Sequence, residues 1–474
     1  MTPLGVSGSA PVLGAGGLVG TSSYLLRCAP TRILLDAGVG AGRMLSRREI
    51  GRLDAVLVTH AHEDHIAGLL ELAQHTARRG RRLPVFGPAS LGTELVRRLA
   101  HDSSPRFGVR VAARVDDTAR DPSGASAGQP VGVRGRAGRL YTCGSTRVLV
   151  GAGVEVDAWL GALDVRDQLT AVVVGSLRDR DIAGLVFLAQ NRLYPKDNTG
   201  ASIAAAARIA REHPIALFGP PGLRAEIAAR SADRGYAPYA LDDAFQFHEF
   251  PTNPAASIRV GELTLTVTAH PHAPAETGGG GRVRRDNNDA RLAELVEFTP
   301  LQPGRPVRIG ACTVRAIGVD HLGIPAYALR VTGRHGAALL YSGDSGFTPA
   351  LIDAAAGVDL AVLNAFCLAC AEQDGLHLSG RGAGTIAARA GVGYAVLAHH
   401  HPRVDAAAIR AEAAAVFTGP LRTAVTGERY LIATPRARTI TGTPPARRAV
   451  TVIAATTRRA RTGRGHAGSR PGDR

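Results

Sequence analysis

A chain of 474 residues with 45% hydrophobic content is long enough for roughly two to three domains with real cores. Its five cysteines are few and odd in number, no run reaches eighteen apolar residues, and no basic segment precedes an apolar one at the N-terminus. A secreted disulfide framework, a membrane partner and a signal peptide are therefore not expected, and the thiol usage points to a reducing, cytoplasmic setting. The formal charge of +16 is lopsided, because Pro435 to Arg474 carries ten Arg and one Asp, which leaves the body only mildly basic.

At the start, Ser22-Ser23-Tyr24-Leu25-Leu26 and Thr31-Arg32-Ile33-Leu34-Leu35 read as two strands joined by a short turn, with Asp36 closing the second. Asp36 is either support for a nearby site or a turn acceptor. Next, Asp54 to Val58 reads as a buried strand and Ile66 onward as a helix. Between them lies Thr59-His60-Ala61-His62-Glu63-Asp64-His65, four metal-ligating side chains within six residues on a strand-to-helix loop. Neutral imidazoles with a hard carboxylate suit zinc or a similar divalent ion, and the Asp64-His65 adjacency allows a second ion. Strand Leu83 to Phe86 and a helix from about Leu91 to Ala100 follow.

After a Gly/Pro/Ser/Arg-rich stretch from Asp116 to Arg139, the beginning of the chain returns. Cys28, Thr31, Arg32 and Leu34 reappear as Cys143, Thr146, Arg147 and Leu149. Leu53 to Gln74 aligns on Leu169 to Gln190 with half its positions identical, and Phe86-Gly87-Pro88 recurs as Phe218-Gly219-Pro220. In this copy His60, His62, Asp64 and His65 have become Ser176, Arg178, Arg180 and Asp181, and Asp36 has become Gly151. Guanidiniums repel a dication, so the copy is expected to be metal-free. Arg259 to His272 also matches Arg308 to His321, with the linker Thr277 to Gly281 between them.

The last third is a run of strands. His321 follows one, Tyr341-Ser342-Gly343-Asp344 ends another, His377-Leu378-Ser379 opens a helix with Ser379 as N-cap, and Leu397-Ala398 leads into His399-His400-His401. Of these three histidines, His399 is the expected ligand because it alone directly follows the strand. Cys367-Leu-Ala-Cys370 is a single CxxC in an apolar run and reads as buried strand and loop.

His60/His62/Asp64/His65, His321, Asp344, His377 and His399, in that order, resemble the metallo-β-lactamase superfamily, in its ribonuclease Z-like and phosphodiesterase-like branch. The resemblance implies an α/β fold, the αβ/βα sandwich of two mixed sheets flanked by helices, with the metals at one edge between the sheets. It implies that His60, His62 and His321 hold one metal, that Asp64, His65 and His399 hold the other, and that Asp344 bridges them. It makes Asp64 a proton acceptor and His377 a catalytic helper near the scissile phosphate. The implied cofactors are two divalent ions, Zn2+ with Mn2+ or Fe2+ as alternatives, which would activate a shared water and screen developing charge. The implied partner is a small-molecule or nucleic-acid phosphodiester, and a homodimer is compatible with it. The long forms of ribonuclease Z likewise pair an inactive half with an active one, but here the inactive copy is nested.

The expected organisation is a first catalytic half at 1–118, a linker at 119–138, the inserted metal-free repeat at 139–274, a linker at 275–294, a second catalytic half at 295–434, and a basic disordered tail at 435–474. Two other functions fit the same residues: hydrolysis of a lactone, thioester or β-lactam at the same metals, and non-catalytic nucleic-acid binding through Arg178, Arg180 and the tail.

Overall fold

The structure is a computed structural model that describes residues 1–8, 12–14, 17–100, 106–113, 131–134, 138–153, 155–193, 200–232, 239–250, 255–270, 291–321, 323–368, 377–401, 404–432 and 450–453. Thr31–Leu35, Ala55–Leu57 and Leu83–Gly87 pair in parallel at the middle of an eight-stranded sheet that also holds Ser23–Cys28 and Thr2–Ser7. Such strands are covered on both faces, which is why Ala55-Val56-Leu57 is apolar at every position. On one face, Val56, Leu34 and Val85 pack against Leu69, Leu72, Leu91 and Leu95 of the helices Leu69–Ala77 and Ala89–Ala100. On the other, Ile33, Leu35 and Leu57 meet Val314, Leu329, Leu339 and Val362 of a seven-stranded sheet. That second sheet runs from Pro306–Ile309 to Leu421–Thr423 and carries the helices Pro349–Ala355, Gly380–Arg389 and Ala406–Ala414 on its outer face. The result is the expected αβ/βα sandwich.

The duplication is a duplication of structure. A six-stranded sheet orders Phe245–Glu249, Ile215–Gly219, Ala171–Val173, Thr146–Val150 and Arg139–Cys143 as the first sheet orders Val296–Pro300, Leu83–Gly87, Ala55–Leu57, Thr31–Leu35 and Ser23–Cys28. Hydrogen bonds recur position by position. Val58 N to Phe86 O at 2.7 Å matches Val174 N to Phe218 O at 2.9 Å, and Gly68 N to Ala37 O matches Gly184 N to Ala152 O, both at 2.8 Å. A three-stranded sheet, Ala255–Val260, Leu263–His270 and Arg106–Ala113, packs on the copy through Val260, Leu265 and Val267. The same contact recurs in both lobes, because Thr31 Oγ1 accepts from Ala311 N at 2.8 Å and Thr146 Oγ1 accepts from Glu262 N at 3.1 Å.

Four segments pair differently from the sequence division. Arg106–Ala113, assigned to the first half, lies in register with Leu263–His270 of the copy. Val131–Arg134, assigned to a linker, adds an edge strand to Arg139–Cys143. Val296–Pro300, assigned to the second half, closes the first sheet beside Leu83–Gly87. Val450–Ile453, assigned to the disordered tail, pairs antiparallel with Arg429–Ile432, because Val-Thr-Val-Ile is a β-branched stretch that fits a strand despite its basic flanks. The rest of the tail, most of the two linkers, Cys370 and His272 lie outside the described residues.

Candidate metal centre

The four-residue motif sits where the parallel strand Ala55–Leu57 gives way to the short helix Glu63–Ile66, so His60, His62, Asp64 and His65 project from one end of the first sheet. His321 follows Cys312–Val319, Asp344 follows Ala338–Tyr341 and His399 follows Ala395–Ala398. All seven are buried. Ligand atoms of His60, His62, His321 and Asp344 lie within 4.8 Å of one another, as do those of Asp64, His65, Asp344 and His399. Asp344 therefore belongs to both groups, at the position of a bridge.

Around Asp344 Oδ2 stand His399 Nε2 at 3.1 Å, His65 Nε2 at 3.2 Å and His60 Nε2 at 3.6 Å. These three nitrogens and Asp344 Oδ1 are fully buried without a hydrogen-bond partner. Orphaned polar atoms in a core are costly unless something else fills their valence, and imidazole and carboxylate lone pairs converging from several sides suit a divalent cation. The donor set is arranged for divalent metal ions.

The other ring nitrogens explain the orientation. Asp36 Oδ2, which as a carboxylate can only accept, receives His65 Nδ1–H at 2.7 Å, leaving the Nε2 lone pair facing inward. The same carboxylate accepts from Thr59 N at 2.8 Å and from the Tyr341 hydroxyl at 2.7 Å. His399 Nδ1 lies 2.8 Å from Ser22 Oγ, and His60 Nδ1 lies 3.0 Å from Thr59 Oγ1. Thr21 Oγ1 donates to the backbone oxygen of Asp64 at 2.6 Å. Asp36 is thus support for the histidine loop, and Ser22, Thr21, Thr59 and Tyr341 are partners the sequence did not mark. Tyr341 is 305 residues from Asp36 and Ser22 is 377 from His399, so no local signal could have joined them.

Burial lowers the proton affinity of His60, His377 and His399, which favours the neutral, ligating imidazole. At His65 burial acts the same way, but Asp344, Asp36 and Asp64 outweigh it and raise the ring. Burial alone would raise the Asp344 carboxyl, yet His399 and His65 hold it well below the ordinary range. His377 lies at the rim of this group, its ring stacked on Phe366 at 4.2 Å and its Nδ1 3.9 Å from Asp344 Oδ2 and 3.3 Å from Asn364 Nδ2. His400 Nδ1 is held by Ala365 O at 2.9 Å, and neither His400 nor His401 belongs to either donor group. A cavity of about 430 Å3 lined by Cys28, Cys312, Val331, Leu339 and Tyr430 contains none of these donors.

In the copy, Gly151 keeps the left-handed backbone of Asp36, with φ of 78° against 54°, but brings no carboxylate. Ser176 Oγ hydrogen-bonds to Asp181 where His60 and His65 face each other in the first unit. Among the described residues, both donor groups lie in the first unit and the second sheet.

A sequence profile described as a β-lactamase superfamily domain matches residues 31–145 and 275–400, just over half of the chain. The chain belongs to the β-lactamase superfamily. The interruption of that match falls on the copy, as an insertion within one superfamily domain requires. Among similar proteins, an uncharacterized protein of Mycobacterium leprae is 37% identical over 133 residues, 28% of this chain and 46% of that protein. Ribonuclease Z of Methanopyrus kandleri is 41% identical over 86 residues, 16% of this chain and 31% of that protein. The chain spans less than half the length of these curated relatives. The solved structure of the short form of human tRNase Z covers 89% of this chain and 95% of its own at 12% identity, with a TM-score of 0.36.

Proposed function

We propose that this superfamily member is a binuclear metal-dependent hydrolase of phosphodiesters. The observation that carries the reading is the pair of buried donor groups sharing Asp344, with the Nε2 atoms of His60, His65 and His399 left without hydrogen-bond partners. His60, His62, His321 and Asp344 would hold one ion, and Asp64, His65, His399 and Asp344 the other, with Zn2+ suited to three imidazoles and a carboxylate at the first and to two imidazoles and two carboxylates at the second. The ions would supply an activated water and charge compensation at the phosphoryl oxygens.

The protein's own contribution is orientation and proton handling. Asp36 and Ser22 fix two of the imidazoles through their outer nitrogens. Asp64, whose Oδ2 stands 3.7 Å from both His65 Nε2 and His399 Nε2, takes up the proton released at the nucleophile. His377, kept neutral by burial and stacked on Phe366, offers the leaving oxygen a ring N–H hydrogen bond and no net proton. Similarity to ribonucleases Z supports RNA as the phosphodiester substrate, with a cyclic nucleotide as the alternative of the same bond type.

The test is metal content after dialysis together with turnover of bis-p-nitrophenyl phosphate, cyclic AMP, a precursor tRNA, nitrocefin and a homoserine lactone. About two ions per chain and phosphodiester turnover that a chelator removes are expected. Turnover of the two carbonyl substrates alone would overturn the substrate class, and absence of bound metal would overturn the centre.

A further inference from the structure

Glu63 stands between His62 and Asp64 in the metal loop, yet its carboxylate turns away from the donor groups. Arg98 grips it with Nη2 to Oε2 at 2.8 Å and Nη1 to Oε1 at 3.2 Å. Arg98 Nε also reaches Glu94 Oε1 at 2.6 Å, and the same oxygen takes Arg97 Nη2 at 2.6 Å. Arg97 continues to Glu226, Glu226 accepts from Arg230 Nε at 2.7 Å, and Arg230 Nη1 returns to Glu63 Oε2 at 3.6 Å. Among the described residues, three carboxylates and three guanidiniums thus alternate round a ring. The side chains of Glu63, Arg98 and Arg230 in it are 1%, 2% and 0% exposed.

The ring joins two lobes. Glu63, Glu94, Arg97 and Arg98 belong to the first unit, and Glu226 and Arg230 lie on the helix Leu223–Ala232 of the copy. Glu226 and Arg230 also hold the places that Glu94 and Arg98 hold in the first unit, each four residues apart and following the repeated Phe-Gly-Pro. The two copies therefore meet through the same helix face, carrying the same pair. Burial alone would raise the Glu94 carboxyl, but Arg98 and Arg97 outweigh it and hold it ionised.

We propose that Arg230 and Glu226 of the copy are positioning residues for the metal centre of the first unit: Arg230, held by Glu226, balances the buried Glu63 carboxylate and so fixes the helix Glu63–Ile66 that carries Asp64 and His65. The inference rests on the reading of these residues as metal ligands. Its physical basis is charge balance in a ring that is buried except at Arg97, whose side chain is 27% exposed. Without Arg230, three buried carboxylates face two guanidiniums, and relief comes by Glu63 moving toward water. Glu63 is the residue next to Asp64, so that movement is carried into the donor set. A copy that lacks the counterparts of His60, His62 and Asp64 thereby acquires a function, the maintenance of its partner unit's ligand geometry.

The test uses the full chain, with Zn2+ affinity measured by chelator competition and thermal unfolding recorded in parallel. R230M is expected to weaken Zn2+ binding about tenfold, in the range seen when support behind metal ligands is removed, and R230K to restore part of it. D157N is the control. Asp157 is a buried carboxylate of the copy bound to Arg166 and Asn191 and outside the ring, so its loss should lower stability without changing Zn2+ affinity. If R230M does not fold, R230Q carries the same expectation, since it also removes the cation while keeping polar atoms beside Glu63 and Glu226. Wild-type Zn2+ affinity in a folded R230M or R230Q, or an equal loss of affinity in D157N, would overturn the proposal. Failure of the unmutated chain to bind Zn2+ would instead overturn the reading of the metal centre beneath it.

Discussion

His399 and Asp36 both hold left-handed backbone, with φ of 55° and 54°, a conformation that costs about 1–3 kcal/mol for a residue with a side chain. Both face the donor groups, His399 as a member and Asp36 as the acceptor that orients His65, so the strain is spent where side-chain direction matters. His60→Ala and Asp344→Ala are each expected to reduce hydrolysis below about a tenth of the wild-type rate, since one removes a donor and the other the shared carboxylate. Initial rates on bis-p-nitrophenyl phosphate check this, and a rate above that level in either variant removes the residue from the site. Asp36→Asn keeps the shape and the backbone preference but loses the anion that holds His65 Nδ1–H. It should lower metal affinity about 10–100-fold while the chain stays folded, which chelator competition and circular dichroism measure together.

Turns set the bridge in place at the next scale. Gly343, between the strand Ala338–Tyr341 and Asp344, has φ of 58°, and a Cβ there would meet Thr59 Cβ at 2.8 Å. Gly343→Val should therefore cost both the left-handed strain, about 1–2 kcal/mol, and the displacement of Thr59, which holds Asp36. A lower unfolding temperature together with weakened metal binding is the expected result, and a variant that keeps both would show that the turn can relax. The strand Val450–Ile453 covers Arg429–Ile432, whose Tyr430 is fully buried. Truncation after Ala433 should lower the melting temperature by about 1–2 °C, as a loss near 1 kcal/mol does in a chain of this size, and leave metal content unchanged. A melting curve identical to that of the full chain would show that this strand adds nothing to stability.

At the scale of the molecule, the donor groups lie across the seam of the sandwich: His60, His62, Asp64 and His65 come from the first sheet, and His321, Asp344 and His399 from the second. Bound ions would tie the two sheets together, and their removal would leave imidazoles and carboxylates facing one another. Chelation is expected to lower the unfolding temperature of the whole sandwich by several degrees and added Zn2+ to restore it, since a ligand at about a thousand times its dissociation constant stabilises by roughly 4 kcal/mol. Calorimetry with and without chelator measures the shift, and coincident curves would deny the ions any part in holding the sheets.

The sequence by itself determined what is local in the chain. His60 to His65 was legible because four donors fall within six residues, Ser379 because a cap acts on its own helix, and the duplication because identical residues recur in the same order. It left open whether Asp36 supports the site, and only folding placed Tyr341, Ser22 and Thr59 around it, because those contacts span up to hundreds of residues and depend on sheet order. Boundaries drawn from composition missed Arg106–Ala113, Val131–Arg134, Val296–Pro300 and Val450–Ile453, since a strand's membership is fixed by which edge it can hydrogen-bond, not by its flanking residues. The ring from Glu63 to Arg230 was invisible for the same reason. Charges far apart in the chain look like solvated surface until packing removes the water between them.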